Sequence, residues 1–295
     1  MMQFWKKSDG VVRISSHQLL DISEKLVALR SFIPSDFVRR PRSLMELDRW
    51  KATELRQFLL YTGPVVLKNV LEPNLYKHFL SLSVSISIML MQDNNMREQY
   101  LEYACELLHH FVANAERMYG ENFLVYNIHS LLHLGDDVRF FKAPLDEFSA
   151  FAFENYLQTL KRLVRSTSNP IVQVVKRVHE YEAVQCSLTN TDVPVKRLKL
   201  GANGRDSVVF LRSGRFAEII DKTGDHVVCN VYMKSSMQPL FLEPCSSLLL
   251  DIAYIKYRQG ILSAAEISLT DIDRKAMKLP HGKGFVFMPL LHKEQ

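Results

Sequence analysis

The segment Phe148–Arg165 reads FSAFAFENYLQTLKRLVR, and its periodicity decides how the helical part of the chain is read. Phe153, Tyr156, Leu157, Leu160, Leu163 and Val164 recur at three- and four-residue steps, which puts them on one stripe of a helix. Glu154, Gln158, Lys161 and Arg165 fall at i, i+4, i+7 and i+11, so one carboxylate lines up with a row of cations on the other side. That row has two readings. It is the solvated face of an ordinary amphipathic helix, or it is a metal-binding acid at the head of a helix whose basic side meets phosphates.

Outward from this helix the same spacing repeats. Downstream, Ser166–Pro170 breaks the chain and Ile171–Glu182 starts another amphipathic helix, whose Lys176 and Arg177 extend the basic face. Upstream, Ile14–Leu29 has helical spacing with Ser15 or Ser16 as cap, and Asn95–Tyr119 has an apolar face that Gly120 ends. Leu47–Leu67 and Tyr76–Met91 read as two helices broken at Gly63-Pro64, because proline cannot continue the hydrogen-bond ladder. In the first of them Thr53 reads as the helix-start residue, with Leu55, Phe58 and Leu59 as core. Leu80–Met91 (LSLSVSISIMLM) is apolar but too short to span a bilayer, so a buried helix and no membrane partner are expected. Between the first helices, Phe32–Ser43 carries Arg39, Arg40 and Arg42; it is a loop that contacts a nucleic-acid backbone or a solvated connector.

Two histidine pairs stand out. His109 and His110 are adjacent, point in different directions and suit surface or partly buried positions better than a chelate. His129 and His133 are spaced i, i+4, which on one helix face suits a shared divalent ion, with Asp136 or Asp137 as a further ligand. A metalloprotease would need glutamate after the first histidine, and Ser130 stands there, so a zinc hydrolase at His129, His133 and Asp137 lacks its general base. The other reading packs both histidines inside a core.

Taken with Asn127–Val138 (NIHSLLHLGDDV) and Leu47–Leu67 (LDRWKATELRQFLLYTGPVVL), the opening segment resembles the C-terminal half of the catalytic region of CACTA (En/Spm-like) DNA transposases, over roughly Ser31–Glu182. The resemblance implies part of an RNase H-like domain that uses magnesium and three acids. Its last acid, a Glu in a phenylalanine-glutamate-aromatic-basic helix, carries over to Glu154. Many plant members have a His/Asp/Cys/His cluster where this chain has Thr53-Glu54-Leu55-Arg56, and no part of this chain matches the two earlier aspartates. The resemblance also implies DNA as partner, together with the remaining portion of a transposase or a second copy of the chain. Lys161, Arg162, Arg165, Lys176 and Arg177 would hold the DNA backbone.

Charge distribution points the same way. The chain of 295 residues has a net charge of +5, yet 161–215 holds eleven Lys/Arg against four Asp/Glu, a local +7 that leaves −2 for the remainder. Within Ser187–Gly204, a polar linker, Lys196, Arg197 and Lys199 form the compact basic pattern of a nuclear-import peptide, which implies the nucleus. The four cysteines lack paired spacing and fit neither a zinc ribbon nor a disulfide framework, so a reducing compartment is expected; no signal-peptide pattern opens the chain.

From Asp206 the period shortens. Val208–Leu211, Phe216–Ile220, His226–Tyr232, Leu240–Leu242, Leu248–Tyr257 and Phe285–Met288 are β-branched or aromatic runs separated by Ser213-Gly214, Thr223-Gly224 and His281-Gly282. They predict a small antiparallel barrel or sandwich without a phosphate loop, nucleophile elbow or dinucleotide fingerprint. The fold expected is therefore α+β: a helical region over 1–185, a linker over 186–205 and a small β-rich domain over 206–295. Two function classes follow, a transposase-derived DNA-binding protein incomplete for strand cleavage and a non-catalytic interaction protein derived from such an element.

Overall fold

The computed structural model describes residues 1–6, 13–188, 200–202, 204–224, 226–257 and 260–291, without the side chains at 152, 154, 155, 158, 185–188 and 261–263. The helical part contains α1 (Met2–Lys6), α2 (Ser16–Ala28), α3 (Ala52–Gln57), α4 (Gly63–Val66), α5 (Pro73–Met89), α6 (Asn94–Tyr119), α7 (Tyr126–His129), α8 (Leu134–Phe141), α9 (Phe151–Leu163) and α10 (Pro170–Leu188). The strands β1 (Val208–Leu211), β2 (Phe216–Thr223), β3 (His226–Tyr232), β4 (Gln238–Pro239), β5 (Ala253–Lys256), β6 (Ile261–Ser268), β7 (Ile272–His281) and β8 (Gly284–Pro289) follow. Compactness divides the chain into two units: Met1–Pro144 with Lys199–Lys293, and Leu145–Leu198.

Helix ends in the first unit follow local chemistry. Ser15 caps α2 by accepting from the Gln18 amide while the Gln18 side chain accepts from the Ser15 amide, a reciprocal box. Asp93 accepts from the amides of Asn95 and Met96 at the head of α6, and Gly120 ends that helix at φ 84°. The predicted break at Gly63-Pro64 is absent. A wide turn over Phe58–Thr62, in which the Gly63 amide bonds the Phe58 carbonyl five residues back, joins α3 to α4 and carries the chain through the proline. In that register the Leu59 carbonyl would need the amide that Pro64 lacks; the Ser83 hydroxyl supplies the bond at 2.7 Å. The true break comes at Leu67–Glu72, and α5 starts on Pro73. Thr53 does not start α3 either: Lys51 is the cap, its amide donating to Glu54 at 2.9 Å. Leu55 is exposed, while Phe58 is buried.

Helix α5 is the centre of this unit. Phe79, Leu80, Val84, Ile88 and Met89 are all buried, and the serines between them are satisfied by carbonyls, Ser85 reaching Ala104 on α6 at 2.6 Å. Close packing makes Gly63 irreplaceable in size: a Cβ there would lie 2.5 Å from the Phe58 oxygen and 2.6 Å from Phe79 Cζ. Gly63→Ala is expected to cost about 1–3 kcal/mol of stability, read as a lower denaturant midpoint at unchanged slope. A wild-type midpoint would show that the wide turn relaxes freely.

The strands form one antiparallel eight-stranded sheet in the order β4-β5-β8-β7-β1-β2-β3-β6. The glycine turns lie where expected, Gly214, Gly224 and Gly282 all having positive φ. Leu240–Leu242 is not a strand, and Ile261–Ser268 and Ile272–His281 are strands the run-by-run reading missed. Phe210, Phe216, Tyr232, Ile255 and Phe287 lie in one buried cluster of the sheet. Sheet and helices share their unit through named bonds. Tyr103 donates to the Pro244 carbonyl at 2.8 Å, the Leu291 amide donates to the Tyr61 hydroxyl at 2.9 Å, and Lys275 of β7 meets Asp36 at 2.5 Å and Asp206 at 2.8 Å. Among the described residues no helix is long and apolar enough to cross a membrane.

Candidate nucleic-acid interface

The second unit, as described, is the hairpin of α9 and α10. Helix α9 ends at Leu163 because Val164 turns extended, at φ −82° and ψ 111°. Asn169 takes a left-handed φ of 46°, and Pro170 opens α10. One side chain holds the turn. Gln173 Oε1 accepts from the Arg165 amide at 2.9 Å and the Ser166 amide at 3.3 Å, and its Nε2 donates to the Ser166 hydroxyl at 2.9 Å and the Ser168 carbonyl at 2.5 Å. A glutamine does this because it offers acceptor and donor on one short arm.

Five predicted cations flank this turn. Lys161 and Arg162 occupy the last turn of α9, Arg165 begins the connection, and Lys176 and Arg177 lie two turns into α10. Lys161, Arg162, Arg165 and Lys176 are exposed, Arg177 half-buried. Among the described residues only Arg177 of these five is in an ion pair, at 3.8 Å from Glu180. Such an end can exchange bound counterions for the phosphates of a polyanion.

Other expected site residues fare differently. The backbone of Glu154 lies in α9, in the turn after the helix start, and its side chain is outside the described residues. The import residues Lys196, Arg197 and Lys199 are also outside them. The apolar stripe of α9 is buried only toward its end: Phe153 is 70% exposed and Tyr156 and Leu157 are each 56% exposed, while Leu163 is buried. In the Phe32–Ser43 loop, Arg40 donates to the carbonyls of Ile33 and Pro34, and Arg42 forks onto both oxygens of Glu54 at 2.6 Å. Those two guanidiniums hold the loop shut instead of facing a ligand.

His129 closes α7 and His133 closes the 3-10 turn that follows it. The tighter turn over Ser130–His133 leads from α7 into α8, and both histidines and Asp137 are exposed, so the two histidines are not packed inside a core. The ring centroids lie 5.4 Å apart, while His133 Nδ1 is 4.0 Å from Asp136, which Arg139 already holds at 2.9 Å. Among the described residues no group of three or more His, Cys, Asp or Glu is placed to hold a metal ion.

One feature escaped sequence reasoning. Arg97, Glu98, Leu101, Glu102, Val138, Arg139 and Lys142 line a cleft of about 260 Å³ between α6 and α8. Arg97 is 2% exposed and donates to the carbonyls of Met91 and Lys142 and to Asn94, so it ties the cleft floor together. The helices approach so closely that a Cβ on Gly135 would sit 2.2 Å from Cys105 Sγ; burial pushes that thiol up from its usual range although Arg139 lies beside it.

Residues 169–290 match a family described as Domain of unknown function (DUF8592). No curated protein matches the chain. No solved structure matches it.

Proposed function

We propose that the chain is a transposase-derived nuclear DNA-binding protein whose helical part descends from an RNase H-like domain, and that it grips DNA through the end of the α9–α10 hairpin. The carrying observation is the set Lys161, Arg162, Arg165, Lys176 and Arg177 around one clamped turn, of which only Arg177 is in a described ion pair. A turn held by Gln173 presents these cations on a fixed frame and lowers the entropy lost on binding. Contacts of this kind position phosphates and read no base, so binding is indifferent to sequence.

Strand cleavage in the resembling family needs three carboxylates around magnesium, which activate a nucleophile and neutralise the transferred phosphoryl group. Glu154 is the one such acid the resemblance assigns, and no residue of this chain matches the other two. No cleavage step is assigned to this chain alone. A second reading, an interaction protein, is favoured by a different observation: Phe153, Tyr156, Ile171, Val172 and Val175 of the same hairpin are all exposed.

Titration of a mixed-sequence duplex tests the proposal. Five phosphate contacts predict a slope of about −4.5 in log K against log salt, or roughly 500-fold weaker binding between about 50 and 200 mM salt. Each Lys or Arg to Ala change in the set is expected to reduce the slope by about 1 with no change in sequence preference. Salt-independent binding, or none, removes the proposal. Plasmid nicking that needs magnesium and disappears in Glu154→Gln would overturn its non-cleaving half.

A further inference from the structure

The turn that closes the basic hairpin reads Arg165-Ser166-Thr167-Ser168-Asn169-Pro170, with all six residues exposed. Its three hydroxyls are not equivalent. The Ser166 hydroxyl is engaged by Gln173 at 2.9 Å, whereas Ser168 enters the clamp through its carbonyl, at 2.5 Å. Only Ser168 has an arginine three residues before it, with Arg162 and Lys161 a turn further back. We propose that Ser168 is a phosphorylation site for an arginine-directed serine/threonine protein kinase, and that the phosphate switches off the polyanion affinity of this hairpin. The second half rests on the DNA-binding reading above; the first does not.

Kinases choose substrates partly by charge pattern, and an arginine at a fixed distance before the acceptor hydroxyl is a pattern an acidic substrate groove reads. The acceptor segment must be drawn out to enter such a groove. Here Val164 is already extended and the six turn residues are exposed, so drawing the acceptor out breaks the Gln173 hydrogen bonds. In the transfer the Ser168 oxygen forms a bond to the γ-phosphorus of magnesium-bound ATP while the bond to the β,γ-bridging oxygen breaks. ADP leaves with that electron pair, and the hydroxyl proton passes to the carboxylate base of the kinase.

The product carries about −1.5 to −2 charges at neutral pH, placed two residues before the start of α10. There the free amides of the first turn and the helix dipole favour an anion, and Arg165, Lys161 and Lys176 belong to the same hairpin. The phosphate offsets about two of the five cations. The salt slope therefore falls from about −4.5 to about −2.7, and affinity at about 0.1 M salt drops on the order of 50-fold.

The test treats the full chain with a cAMP-dependent-type kinase and ATP, maps the phosphate by mass spectrometry, and titrates both forms with duplex DNA. The expected result is phosphate on Ser168, absent from that position in Ser168→Ala, and at least tenfold slower incorporation there in Arg165→Ala. The phosphorylated protein binds DNA on the order of 50-fold more weakly, while kinase-treated Ser168→Ala binds as the untreated chain does. No incorporation, or incorporation at Ser166 or Thr167 instead, overturns the site. Phosphate on Ser168 with unchanged DNA affinity overturns the switch. If the unmodified chain binds no DNA, the DNA-binding reading falls and takes the switch with it, while the mapping alone still decides the site.

Discussion

Lys275→Ala is expected to lower folding stability by roughly 3–5 kcal/mol, the largest single-residue effect among those considered. Lys275 is 2% exposed on β7, its ammonium 2.5 Å from Asp36 and 2.8 Å from Asp206. Asp206 also accepts from the Ser35 amide at 2.8 Å, so one charged cluster pins the Ile33–Asp36 loop to the start of β1 and the middle of β7. Removing the cation leaves the Asp36 carboxylate, itself only 8% exposed, without its partner in a poorly hydrated place. Urea unfolding measures the loss. Lys275→Met with Asp36→Leu is expected to recover much of the deficit, because the more deeply buried carboxylate is then gone and Asp206 keeps the Ser35 amide at 2.8 Å and Arg205 at 3.5 Å. Should the single and double variants be equally unstable, packing rather than charge holds this seam.

The cluster also sets an acid limit. Burial pushes the Asp206 carboxyl up, but the hydrogen bonds from Lys275 and Ser35 outweigh it and hold the group below its usual range. A carboxyl depressed in the folded state contributes stability that is fully present above its unfolded pKa and lost as pH falls through the folded value. This loss falls below about pH 4.

A second large loss comes earlier, from His78. Its ring stacks on Phe111 with centroids 4.4 Å apart, Nε2 lies 3.0 Å from the Phe111 carbonyl and Nδ1 lies 3.2 Å from the Tyr119 hydroxyl. Burial lowers its pKa to about 4, overcoming the Phe111 bond that favours the charged form, with His110 adding to the lowering. The unfolded chain takes up the proton near pH 6.5 and the folded chain near 4, so stability is intact above about 6.5 and declines as pH falls through that window. Fully developed, the loss is on the order of 3 kcal/mol. Unfolding free energies from pH 7.5 down to pH 4.5 would show the slope, and His78→Gln is expected to flatten it. An unchanged slope in that variant would assign the acid sensitivity to other groups.

Why some of this was legible in the sequence is clear from particular residues. Ser15 with Gln18, Asp93, and the glycines at 120, 214, 224 and 282 act through bonds and dihedrals within a few positions, so their signals are local. Gly63-Pro64 misled because a Pro is a helix breaker only where nothing else meets the orphaned carbonyl. Here Ser83, far along the chain on α5, meets it. Arg40 and Arg42 looked like ligand contacts for the same reason, their acceptors being chosen by how the loop folds. The five hairpin cations were legible, since spacing along two helices needs no tertiary partner.

Composition and short-range pattern by themselves determined a helical first part, an antiparallel β region after it, and a basic concentration around the α9–α10 turn. Those outcomes depend on periodicity, caps and charge, which act between neighbours. Only the tertiary structure decided that the sheet packs with the helices before Pro144, that Lys275 closes the seam, and that His129 and His133 stand in the open. Each of these depends on which distant groups come within bonding reach, and burial then decides which charges are spent inside the fold and which remain at its surface.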